Sequence, residues 1–126
     1  MPTSVQLLSS RALPETARAL RRLGLRLSST GALSIAPASS HLFRKVGRSA
    51  EPGPLLVPES TSPTRTLAVL RKLGESAPGP FFAAGKAGQI NAALFVAACL
   101  AAENPKIRRA LDSFRARQTS SVPSSP

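Results

Sequence analysis

The chain has 126 residues, 17 basic against 6 acidic, so its formal net charge is +11, and 42% of its residues are apolar. That length holds one domain, and a lone cysteine, Cys99, excludes both a disulfide framework within the chain and a cysteine-based zinc site. Twelve Pro and eight Gly punctuate the chain heavily, but the apolar content is too high for a wholly disordered chain. The longest uncharged apolar run, Ile90 to Ala102, is shorter than the roughly 20 residues a helix needs to cross a bilayer, so no membrane partner is expected. Residues 1–122 read as one domain and 123–126, Ser- and Pro-rich, as a disordered tail.

Taken in chain order, Ser4 to Leu8 is a short apolar run that reads as a strand. Pro14 then opens an amphipathic helix. Its Pro lacks an N–H where none is needed, Glu15 complements the positive helix end, Ala17, Leu20 and Leu23 share a face, and Gly24 suits a left-handed cap. Gly31 to Ala36 reads as a buried strand that Pro37 ends, followed by a turn at Ser39-Ser40-His41-Leu42. Pro54 to Val57 fits a brief parallel strand closed by Pro58. Ser62 and Pro63 start a helix with Leu67, Leu70 and Leu73 inward and Gly74 just past its end.

Pro80 to Ala84 reads as a further buried strand, and Gly85-Lys-Ala-Gly88 as a tight turn that feeds a helix from Gln89 to Glu103. That helix is apolar nearly all round, which calls for cover on several sides, by the sheet and by another subunit. Cys99, within it, reads as a small buried hydrophobe. Asn104-Pro105 caps a last helix through about Gln118, apolar at Ile107, Ala110, Leu111 and Phe114. Strands alternating with helices over short connections predict an α/β fold with a parallel sheet and long C-terminal helices.

Several residues carry candidate chemistry. Ser9 and Ser10 follow a strand, where parallel sheets bind ligands. Lys86, beside Gly85 at a helix start, can meet a phosphate or carboxylate. His41 is the sole histidine, so neither a His-pair metal site nor a Cys–His dyad with Cys99 is expected. Arg18, Arg21 and Arg22 on the first helix and Arg108, Arg109, Arg115 and Arg117 on the last make basic surfaces. With no Tyr or Trp to stack bases, nucleic acid is not the expected partner.

The run Gly85-Lys-Ala-Gly-Gln-Ile-Asn-Ala-Ala-Leu94, an Ala-rich helix, an Asn-Pro break and Arg115-Ala-Arg-Gln-Thr119 closely resemble the end of the bacterial-type aminoimidazole ribonucleotide carboxylases. Members of that family are also called N-carboxyaminoimidazole ribonucleotide mutases. Upstream, Ser39-Ser40-His41-Leu42 resembles the family's Gly-rich His-Leu loop, Leu56-Val57-Pro58-Glu59-Ser60 its Val-Pro segment, and Ser9-Ser10-Arg11-Ala12-Leu13-Pro14-Glu15 its Ser-Ala-His-Arg-Thr-Pro-Glu segment.

The resemblance implies a Rossmann-like, flavodoxin-like sheet that lacks the family's usual first strand and helix. It implies a homo-oligomer held through the helix Gln89 to Glu103, and a carboxylate moved on the imidazole ring of a purine-pathway ribonucleotide, with no metal or organic cofactor; the alternatives are a non-catalytic remnant or subunit that packs with full-length homologues, and a basic anion- or nucleic-acid-binding protein. On the matching positions, Ser9, Ser10, Arg11 and Lys86 are implied to bind substrate and His41 to act in catalysis. Arg11 stands where the family carries its proton-shuttling His, and an Arg does not give up its proton near neutral pH. A cytoplasmic location is implied. The eight basic residues of positions 1–50, set against Glu15 alone, offer an organellar leader as the alternative.

Overall fold

The computed structural model describes residues 4–29, 31, 33–38, 55–58, 63–76 and 81–122. The expected Ser39–Leu42 turn with His41, and the tail from 123 onward, lie outside these residues.

Four parallel strands, β1 (Ser4–Leu7), β2 (Arg26–Leu27), β3 (Leu33–Ala38) and β4 (Leu55–Pro58), form a sheet in the order β2-β1-β3-β4. The helices among the described residues are α1 (Pro14–Arg22), α2 (Pro63–Ser76), α3 (Lys86–Ala101) and α4 (Pro105–Ser120). A bridge from Leu56 to Phe81 continues the order beyond β4, so the layout is that of a flavodoxin-like doubly wound sheet. At the centre of the sheet β1 pairs directly with β3, Val5 opposite Leu33 and Leu7 opposite Ile35.

Strand alternation puts apolar side chains on both faces of β3 and β4. Val5, Ile35, Leu55 and Val57 share one core with Leu20 and Leu23 of α1, Ala92, Ala93, Val96 and Ala97 of α3, and Ile107, Leu111 and Phe114 of α4. The intervening Ala36, Ala38 and Leu56 meet Val69 and Leu73 of α2 on the opposite face. A sheet covered on both faces explains why these strands read as unbroken apolar runs.

The ends of α1 follow the expected chemistry. Gly24 has φ +82°, its N–H bonds the carbonyl of Arg21 at 3.1 Å, and that of Leu25 bonds the carbonyl of Leu20 at 2.9 Å. Those two bonds make a Schellman motif, with Leu20 and Leu25 both buried in the same core. At α4, the Asn104 side chain accepts from Lys106 N at 3.1 Å and Ile107 N at 3.4 Å, as the Asn-Pro break predicts.

Other expectations are corrected. Pro37 does not end its strand: β3 runs through it to Ala38. The carbonyl of Ile35 faces β1, where it accepts from Leu8 N. Two residues on, the nitrogen of Pro37 faces the same side, past the end of β1, so its missing N–H breaks no ladder bond. Pro80 lies outside the described residues, and among those that follow it the strand expected at Pro80 to Ala84 reduces to the Phe81 bridge and one bond from Phe82 N to Leu56 O, at 3.0 Å. The next β4 residue facing that side is Pro58, which has no N–H to extend the pairing.

Gly74 lies inside α2 rather than past its end, and Leu67 is 55% exposed. The inward stripe is Val69 and Leu73, four apart, which dock on Leu56 and carry the helix onward. The Gly85–Gly88 turn is instead the cap and first turn of α3, which starts at Lys86 and ends at Ala101, two residues short of Glu103. Cys99 is exposed, because the buried face of α3 runs through Ala92, Ala93, Val96, Ala97 and Leu100 and leaves position 99 on the far side. The last helix extends two residues past Gln118, to Ser120.

Candidate functional site

In the order β2-β1-β3-β4 the chain changes direction across the sheet between β1 and β3. Ligands of such sheets bind outside the carboxyl ends of the strands at that switch point. The segment leaving β1 there is Ser9 to Leu13. The Ser9 hydroxyl accepts from Ala12 N at 3.2 Å, and its carbonyl accepts from Leu13 N at 3.1 Å. Ser9 is therefore half-buried and closes the turn, while Ser10 and Arg11 at its crest are exposed and Leu13 is fully buried beneath them.

Leu13 is the N-cap of α1 and supplies no side-chain acceptor, and Pro14 has no N–H. The next free donor, Glu15 N, is met from another helix: the Gln89 side-chain oxygen accepts it at 3.0 Å. The Thr16 hydroxyl, completely buried, donates to the backbone carbonyl of Gln89 at 2.7 Å. Gln89 thus fastens the first turn of α3 to the first turn of α1, which satisfies an orphan donor and a buried hydroxyl together.

The entry to α3 is held equally closely. Gly85, its N-cap, has φ 91° and ψ −173°, a conformation essentially restricted to glycine. A Cβ on Gly88 would overlap the carbonyl oxygen of Ala83, so backbone packs directly on backbone there. Lys86 is exposed at the first position, and among the described residues no side chain caps this end. The Glu15 carboxylate pairs with Arg18, which keeps it on the outer face of α1.

Of the residues singled out from sequence, the fold brings Ser9, Ser10, Arg11 and Lys86 to one end of the sheet through the Gln89 link. His41 lies outside the described residues. Two exposed cations and an uncapped helix N-terminus beside a strand-end turn suit an anionic group. Among the described residues, no group of three or more His, Cys, Asp or Glu side chains could hold a metal ion, and no helix is long and apolar enough to cross a membrane.

Sequence reasoning missed Gln89 and Thr16 as organisers of the site. Thr16 carried a signal, as a hydroxyl on the inward side of a helix whose other inward residues are Ala and Leu. Gln89 carried none, since a polar residue in a first helical turn is ordinary.

No known family model matches the chain, and neither does any curated protein.

Proposed function

We propose that the chain binds a carboxylated imidazole ribonucleotide of purine synthesis at the carboxyl end of its sheet. The support is the junction at Gln89, which joins two segments of the resemblance, Ser9–Glu15 and Gly85–Leu94, that are far apart in sequence. In this reading Lys86 and the uncapped start of α3 take the carboxylate or phosphate, Arg11 neutralises the second anionic group, and Ser10 hydrogen-bonds the ribose or its phosphate. Ser9 shapes the turn. His41 acts on the imidazole ring, and Arg11, permanently charged, binds without relaying a proton. The activity is that of a carboxylase or mutase of this pathway, with proton transfer limited by Arg11.

Calorimetric titration with aminoimidazole ribonucleotide and its carboxylated form tests this. Micromolar binding of the carboxylated form, weakened roughly tenfold by Lys86→Gln or Arg11→Ala, supports the reading. Equal binding of both ligands, or none by a folded sample, ends it.

The exposed side of α3 favours a second element of the same proposal. Phe95 is 43% exposed, and the uncharged Ala98, Cys99 and Ala102 lie along the same side of the helix, in a chain of net charge +11. Copies of the chain can meet at these four uncharged positions without bringing their basic faces together, which fits a homo-oligomer through Gln89 to Glu103. A cytoplasmic location belongs to the same reading, and cell fractionation tests it. Sedimentation showing a monomer at all concentrations removes the oligomer.

A further inference from the structure

On the other side of α1 from the sheet end, the end of that helix and the first half of α4 enclose an open groove of about 220 Å³. Its floor is apolar, presented by Gly24 and Ala110, with Leu23 and Ile107, both nearly fully buried, behind them. Its rim is cationic, with Arg22 on one wall and Lys106 on the other. The polar residue of the floor, Asn104, is committed to capping α4.

Farther along α4, the guanidinium carbons of Arg22 and Arg117 stand 5.7 and 6.0 Å from the centroid of the Phe114 ring. Arg22 is thereby held at the groove's edge by its ring contact. Lys106, Arg22 and Arg117 then follow α4 over eleven residues, roughly 16 Å. None of the three makes an ion pair among the described residues, and no acid lines the groove.

We propose that this groove docks an acidic peptide segment of a partner protein, one apolar side chain filling the floor and flanking carboxylates meeting Arg22, Lys106 and Arg117. The volume falls below the roughly 300 Å³ at which small-molecule pockets begin, which suits one anchoring side chain rather than a whole ligand. Charge complementarity selects the acidic flanks. A nucleic acid would use the rim alone: Phe114 is 8% exposed and covered by two cations, so no aromatic face is open for a base.

Fluorescence anisotropy with three labelled probes tests it: an acidic decapeptide with one central leucine, the same peptide with glycine at that place, and an oligothymidylate of equal charge. The leucine peptide is expected to bind roughly tenfold or more tightly than the glycine peptide. Arg22→Glu should weaken it by about tenfold, and Ala110→Gln, which fills the floor, should erase the advantage of leucine. Equal affinity of the two peptides, tighter binding of the oligonucleotide, or indifference to both variants overturns the proposal. Circular dichroism confirms that each variant is folded, and neither substitution touches the sheet-end site.

Discussion

The Thr16 hydroxyl donates to the backbone carbonyl of Gln89 at 2.7 Å, across a sequence separation of 73 residues. Through this bond and its neighbour from Glu15 N to the Gln89 side chain, the starts of α1 and α3 are one mechanical unit. Thr16→Val keeps the shape and removes the donor, and Gln89→Ala removes the acceptor that caps α1. Each is expected to cost about 1 kcal/mol, read as a lower urea midpoint at unchanged slope. The double variant with Thr16→Val should fall short of additivity, because both changes loosen the same junction.

The two glycines at the entry to α3 are expected to fail differently. Gly85→Ala meets no neighbouring atom, so its cost is conformational, about 1–3 kcal/mol. Gly88→Ala drives a methyl into the Ala83 carbonyl and must displace backbone. The melting temperature should therefore drop more for Gly88→Ala, and amide shifts in its NMR spectrum should spread to Ala83 and Leu56, while those of Gly85→Ala stay near position 85.

Asn104→Ala uncaps α4, leaving two N–H groups without their side-chain acceptor. A loss of about 1 kcal/mol is expected, recovered in large part by Asn104→Asp, which restores the acceptor and adds a charge that the helix dipole favours. Equal destabilisation by both variants in urea melts would contradict the capping role.

A net charge of +11 on 126 residues implies self-repulsion in the folded state. Arg21, Arg22, Arg108, Arg109 and Arg115 are exposed, and none is ion-paired among the described residues. Raising sodium chloride from about 20 to about 200 mM shortens the screening length and should raise the melting temperature. A melting temperature that falls with salt would mean that attractive pairs outweigh the repulsion.

Local chemistry made much of this fold legible. The Pro14 start, the Gly24 finish and the Asn104 cap are decided by backbone groups within a few residues, and each stands where its residue type predicts. Pro37 and the Phe81 segment are not legible in the sequence, because the effect of a proline in a sheet depends on which neighbour its nitrogen faces, and pairing sets that. The exposure of Cys99 is not legible for a related reason: in a helix apolar all round, composition does not say which face the sheet will cover. The positions of Ser9, Ser10, Arg11 and Lys86 at strand and helix ends were readable, but the link that gathers them, Gln89 to Thr16, is a long-range contact with no local signature.

Amide hydrogen exchange with and without carboxyaminoimidazole ribonucleotide tests the proposed site most directly. Protection should rise in Ser9–Ala12 and at the start of α3, Lys86–Gln89, and remain unchanged along α4. Unchanged exchange at both segments, or protection confined to the groove between α1 and α4, would contradict a ligand site at the carboxyl end of the sheet.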